Sequence, residues 1–259
     1  MWQRTELPLA LVLVLAGGCA GPRTTPVRAA DVGHHHVRFA LPKGWEHLDH
    51  GREQLLRLGE AQLMLVDLGP ATGDAMADEL KHARALWLVG RRLDAFERVR
   101  SLRSPGLRYA SHEQRSEFWR PWTDVTYVPS AADSAAIGPA FEALIRGTQA
   151  FAPPTPNQLY QYVSDLALSG HGREITTRER RTIHDVDWVV FDLWDRVSHG
   201  YRTRVAFTID DGYLLALTMD MGLFEQLEPA FESVLASLEV TSKGVEKGFE
   251  CGTSPPAGR

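Results

Sequence analysis

Cysteine is nearly absent. The 259-residue chain has two, Cys19 and Cys251. That excludes a disulfide framework and any zinc site built on cysteine. Catalytic signatures are missing as well: there is no G-x-S-x-G elbow, no S-x-x-K and no H-E-x-x-H. The nearest approach to a dinucleotide loop, Gly170-His171-Gly172-Arg173-Glu174-Ile175, has isoleucine where the third glycine is needed and follows a helical pattern instead of a strand. Asp185 and Asp187 open like a calcium loop, but Val190 stands where that loop requires glycine. Positive charge is not in excess: 28 Lys and Arg face 33 Asp and Glu, a net charge of -5. No nucleic-acid partner is expected from such a balance. The short basic clusters Arg91-Arg92 and Arg178-Glu179-Arg180-Arg181 read as solvated helix or strand faces. No cofactor is implied, and no internal repeat is visible.

One apolar run is present, and it is short. Residues 7–16 read Leu-Pro-Leu-Ala-Leu-Val-Leu-Val-Leu-Ala and are followed by Gly17-Gly18-Cys19. A spanning helix needs about 20 apolar residues, whereas an export signal needs 7–15 and a small-residue cleavage site. Residues 1–18 are therefore expected to be a signal peptide. Leu15-Ala16-Gly17-Gly18-Cys19 resembles the bacterial lipobox. The resemblance implies lipid on the Cys19 thiol, cleavage before it, and attachment of the mature chain to a membrane through that lipid. Ala16 stands where the box more often has leucine, and a plain secretory signal is the alternative. Ala20 is not the aspartate that marks inner-membrane retention, so the implied place is the outer membrane, facing the periplasm. Residues 19–33 carry two prolines and many small or polar side chains. They are expected to be a tether.

The rest reads as one α+β domain over residues 34–241, with a disordered tail at 242–259. Residues 37–41 alternate, with Val37, Phe39 and Leu41 on one face. Gly59-Glu60 separates two strand-like runs, 54–58 and 62–68, as a hairpin. The middle, about 72–170, changes to helical spacing. Met76, Leu80, Ala83 and Trp87 form one stripe, and Gly90 breaks it from Leu93, Phe96, Val99 and Leu102. Helices are expected again from Ser130 or Asp133 to about 150 and over 156–168. The last third returns to strands at 188–197, 203–209 and 213–219, with Asp211-Gly212 as a hairpin turn. A helix over 223–238 and a short final strand at 239–241 close the pattern.

Both ends of this order resemble the PsbP/Mog1/DcrB-like group. The opening carries Phe39, Leu41, Pro42, Gly44 and Trp45. The closing carries Asp211-Gly212-Tyr213 and Leu217-Thr218, then Phe231, Val234, Leu235, Ser237, Leu238 and Val240. The resemblance implies a mainly antiparallel sheet covered by helices, an α/β/α sandwich, here with the helical middle as a large insertion. It also implies a largely non-catalytic binding or assembly role. The strand at 188–197 is apolar on both faces, so it needs cover on both sides, which the inserted helices could supply.

Two groups of side chains are candidates for function. His34, His35, His36, His47 and His50 cluster near the start of the domain. Imidazole binds zinc or copper well, and a strand there would turn His34 and His36 to one face. Phe118, Trp119, Trp122 and Tyr127 form an aromatic cluster that fits either a partner surface or packing of the insertion. His184 beside Asp185 lacks a visible nucleophile, so no catalytic residue is assigned. The expected function is a membrane-tethered, non-catalytic binding or assembly factor of the cell envelope, with an unidentified envelope protein or ligand as partner. The alternatives are an envelope hydrolase and a metal-binding lipoprotein using the amino-terminal histidines.

Overall fold

A computed structural model describes residues 26–102, 105–126, 133–152, 154–167, 173–195, 201–219 and 224–242. Residues 1–18, expected to be a signal, together with Cys19, Tyr127, Cys251 and the residues beyond Ser242, lie outside those described. Among the described residues no helix is long and apolar enough to cross a membrane.

The architecture is the expected α+β arrangement of antiparallel sheet and helices. Strands β1 (Val27–Val32), β2 (His35–Ala40), β3 (Glu46–Asp49), β4 (Glu53–Leu58) and β5 (Ala61–Pro70) come first. Helices α1 (Gly73–Leu88), α2 (Arg92–Arg100), α3 (Pro105–Tyr109), α4 (His112–Thr126), α5 (Asp133–Gly147) and α6 (Pro156–Ala167) follow. Then come β6 (Arg173–Ile183), β7 (Val186–Asp195), β8 (Tyr201–Asp210), β9 (Tyr213–Met219), α7 (Phe224–Ala236) and β10 (Glu239–Ser242). The strands form two sheets, β1-β2-β10 and β3-β4-β5-β9-β8-β7-β6.

Strand β9 sits in the middle of the larger sheet, and all seven of its residues are buried. Burial on both faces requires two covering layers, and both are present. Leu215, Leu217, Trp188 and Ala206 pack against Phe231, Val234 and Leu235 of α7, with Phe39 and Val37 of the small sheet. On the other face, Leu214, Ala216, Phe191 and Phe207 pack against Leu159, Tyr162 and Val163 of α6. The inserted helix α6 thus supplies the second layer that the two-sided apolar strand demanded. The Asp211-Gly212 turn is as its sequence predicts, with φ of 49° and 82°.

Four expectations need correction. The stretch 19–33 is not all tether, because Val27–Val32 pairs antiparallel with β2, Val32 opposite His35. Ala30 and Val32 are buried in the core, so an Ala- and Val-containing segment that looked merely small-residue is held by packing and a ladder. The segment 173–183, of which the sequence assigns only the basic cluster 178–181, as a solvated helix or strand face, is the 11-residue edge strand β6. Its Arg and Glu side chains hide any alternation, and charges of this kind protect an edge from pairing with other chains. The helices α3 and α4 and the strand β3 carry too little periodic pattern to be read in advance. Finally, Phe118 and Trp122 are not a partner surface: they are 5% and 7% exposed in the insertion's own core with Met76, Leu80, Phe141 and Leu144. Phe118 meets Phe151 edge-on at 5.2 Å, Trp122 meets Phe141 at 5.3 Å, and Trp119 packs partly buried against the same cluster.

Helix α1 begins on Thr72, whose Oγ1 accepts from the Ala75 amide at 3.2 Å. Thr72→Ala is expected to cost about 1 kcal/mol of stability, read as a lower urea midpoint at unchanged slope.

Candidate functional site

The tight turn joining β1 to β2 is Gly33-His34. Gly33 has φ of +58°, the left-handed region that glycine enters freely. The turn brings the backbone down onto Asp67, the one carboxylate of β5, inside the apolar run 63–68 and with no side-chain exposure. Asp67 Oδ2 accepts from the His34 amide and meets His34 Nδ1, both at 2.9 Å. Asp67 Oδ1 accepts from the Gly69 amide at 2.7 Å, and the Arg52 guanidinium lies 3.5 Å away. Alternation along β5 puts Asp67 on the same face as Leu63 and Leu65, the face that meets the small sheet, and the register against β9 shifts just after it, between Asp67 and Pro70.

The other ring nitrogen of His34, Nε2, touches Glu79 Oε1 on α1. Glu79 is buried on the same helix face as Met76, Leu80 and Ala83. Its second oxygen accepts from Arg98 Nε of α2 at 2.7 Å. The ring itself stacks on Tyr213 of β9, centroids 3.8 Å apart and 16° from parallel. Tyr213 donates from its hydroxyl to the Ala75 carbonyl at 3.3 Å. One imidazole therefore joins the small sheet, the large sheet and the first inserted helix.

The electrostatics follow from this geometry. Burial opposes the charged form of His34, but hydrogen bonds to Asp67 and Glu79 outweigh it and raise its pKa above 6.5. Burial alone would raise Asp67, yet the His34 bond, the Arg52 charge and two amides hold it down at about 2. Glu79 is likewise lowered against its burial, by His34 and Arg98. Tyr213 is pushed above its ordinary range by burial and by the Glu79 charge. With the ring protonated, Nδ1 donates to Asp67 Oδ2 while Nε2 lies in ion-pair contact with Glu79 Oε1, so one positive charge faces both carboxylates.

A cleft of about 590 Å³ opens beside this relay. Gly33, His34, Arg52 and Pro70 form one wall. Glu79, His82 and Leu86 of α1, with Arg91, Asp94, Glu97 and Arg98 at α2 and Ser101 and Leu102 just beyond it, form the other. Acids and bases alternate around the rim: Arg91 pairs with Asp94 at 2.6 Å and Arg98 with Glu79. Ser101 is the one hydroxyl among the described lining residues, and it donates to the Arg98 carbonyl at 3.3 Å.

The five amino-terminal histidines are not brought together. His34 lies in the turn, so the alternation of β2 buries His35 and exposes His36. His35 Nδ1 is 3.5 Å from Asp210 Oδ2, and burial lowers its pKa. His36 pairs with Asp31 at 2.9 Å on the surface. His47 Nε2 is 2.6 Å from Gln54, and His50 is exposed on the turn before β4. Among the described residues no group of three His, Cys, Asp or Glu is placed to hold a metal ion. His34 and His36 fail to share a face because the strand starts one residue later than the pattern implied. His184 and Asp185, with φ of 47° and 64°, are the turn between β6 and β7.

Sequence reading missed Asp67, Glu79, Arg98 and Tyr213. Two signals were there: a single aspartate inside the apolar run 63–68, and a glutamate on the apolar stripe of α1. A buried carboxylate must be paired, so each implied a partner.

No family model and no curated protein matches the chain. Among solved structures the chain is similar to the solution structure of cyanobacterial PsbP (CyanoP) from Synechocystis sp. PCC 6803. The identity is 12% and the TM-score 0.38, over 87% of this chain and 99% of that one. A likeness at that distance carries nothing about activity or partners. The α+β architecture rests on the strand order and helix layers described above.

Proposed function

We propose that this chain is a lipid-anchored envelope protein that binds, without catalysis, a ligand or protein segment in the cleft beside His34. The observation that carries the non-catalytic part is the saturation of the relay. Both ring nitrogens of His34 face carboxylates, so neither is available to take a proton from a substrate. The hydroxyl at the rim, Ser101, is committed to a helix-end carbonyl. A rigid, charge-balanced wall of this kind positions polar groups; it does not activate a nucleophile.

The anchor is supported by the apolar run and the Leu15–Cys19 box. Between Cys19 and the first residue of β1, seven residues remain, which reach no more than about 30 Å. The tether enters the β1–β2 hairpin at the end opposite the Gly33 turn. Strand β1, roughly 20 Å long, therefore separates the cleft from the point where the tether joins the domain.

Two measurements test the proposal. Mass spectrometry of the natively produced protein is expected to find a mature start at Cys19 carrying acyl mass; an intact Met1 or a bare thiol ends the anchored reading. Pull-down from envelope extract is expected to enrich one partner or lipid with the native chain and to lose it with Glu97→Arg, a rim change that leaves the His34 pairs intact. Equal recovery by both proteins removes the cleft from the proposal.

A further inference from the structure

The corner between α1 and α2 is the most apolar exposed feature of the described surface. Residues 88–93, Leu-Val-Gly-Arg-Arg-Leu, are exposed one after another. Leu88, Val89 and Leu93 are 71%, 66% and 70% exposed, three of the seven exposed large hydrophobics among the described residues. No acidic residue interrupts the six.

The corner is also rigid. The Gly90 amide donates to the Trp87 carbonyl at 3.0 Å and the Arg91 amide to the Leu86 carbonyl at 2.9 Å. Gly90 has φ of +84°. These two bonds around a left-handed glycine form a Schellman motif. Such a motif usually folds an apolar residue at the position of Arg91 back onto the helix. Here arginine occupies that position, and the large aliphatic side chains project outward instead. A Cβ on Gly90 would meet nothing within 4 Å, so the tip stands clear of the rest of the chain.

Charge decides what fits it. Arg91 keeps 63% of its side chain exposed while its Nε pairs with Asp94, and the Arg92 guanidinium lies 5.4 Å above the Trp87 ring. Aliphatic tips surrounded by arginines, with a tryptophan at their base, match the boundary between anionic headgroups and acyl chains. A protein partner would need an apolar pocket ringed by acids; a bilayer supplies both at once. We propose that residues 88–93 insert into the interface of an anionic bilayer. Preformed geometry lowers the ordering cost of that insertion. If Cys19 carries lipid, the corner is a second contact that fixes how the body lies on the membrane. The inference itself does not require the lipid.

The test uses the full chain with Cys19→Ser and Cys251→Ser, carrying one environment-sensitive fluorophore on Val89→Cys. On phosphatidylcholine vesicles containing phosphatidylglycerol, its emission is expected to shift to the blue and to be quenched by brominated acyl chains. Vesicles without phosphatidylglycerol should give a weaker shift, and adding Leu88→Asp and Leu93→Asp should abolish the quenching. The same fluorophore on Glu113→Cys, an exposed site of α4, should stay unquenched. No quenching at position 89, or equal quenching at both positions, overturns the proposal. A blue shift that grows with protein concentration in the absence of vesicles assigns the corner to a second copy of the chain and overturns it too.

Discussion

Gly33→Ala is expected to unfold or strongly destabilise the protein, by roughly 4 kcal/mol or more. Two costs add. The φ of +58° is a left-handed conformation that a Cβ makes unfavourable by about 1–2 kcal/mol. The new Cβ would also lie 1.8 Å from Asp67 Oδ2 and 2.5 Å from its Cγ. Asp67 has no side-chain exposure and cannot swing into solvent. It must give up the His34 contacts, and breaking a buried charge pair costs about 3–5 kcal/mol. Gly51→Ala is the matched control. Its φ is +75°, but a Cβ there meets nothing within 4 Å, so only the conformational cost of about 1–2 kcal/mol applies. Urea unfolding of the two variants reads the difference directly. Equal midpoints would mean that the turn does not press on Asp67, and the site as described would fail.

His34→Ala is expected to cost about 3 kcal/mol at mildly acidic pH, and that cost is expected to shrink as pH rises. The imidazole lies between Asp67 and Glu79, whose side chains are 0% and 8% exposed. Removing it leaves two carboxylates facing one cavity. Each keeps some support, Asp67 from Gly69 and Arg52, Glu79 from Arg98, which is why the figure sits at the low end for a buried pair. The sign of the pH effect follows from the raised pKa of His34. Folding binds this proton more tightly than the unfolded chain does. The contribution is therefore fully present below the unfolded value of 6.5 and is lost as pH passes through the higher folded value. Burial lowers the pKa of His35, so its own effect has the opposite sign: it penalises the fold at acid pH. His34 also bears on the titration of His35 and holds Asp67 and Glu79 down, so the difference between the two proteins reads His34 together with the groups coupled to it. Denaturant midpoints at several values between about pH 5 and pH 9 check this. A gap that is constant or widens with pH would show that His34 is not charged in the fold.

Parts of the fold were readable in advance because they depend on neighbours in the chain. The Asp211-Gly212 turn, the break at Gly90 and the stripe Met76-Leu80-Ala83 are local patterns with local causes. The two-sided apolar strand around Trp188 and Val190 also announced that it needed two layers of cover. The failures share one physical reason. Val27–Val32 looks like linker until β2 lies beside it, and β6 shows only a charged face with no strand alternation because an edge strand keeps its charges in water. Phe118 and Trp122 read more readily as packing than as a partner surface, and they are packed, but aromatic spacing alone does not say which way a helix faces.

By itself the sequence determined the short apolar run followed by a cysteine, the alternation of helical and strand segments, and the turns, because periodicity and glycine chemistry act within a few residues. Only the tertiary structure decided which histidine matters. His34 sits 33 residues from Asp67, and Glu79 and Tyr213 lie on other elements, so no spacing in the chain encodes their meeting. It arises where a glycine turn, a bulged strand and a helix are packed against one another, and burial then forces two carboxylates to share one imidazole.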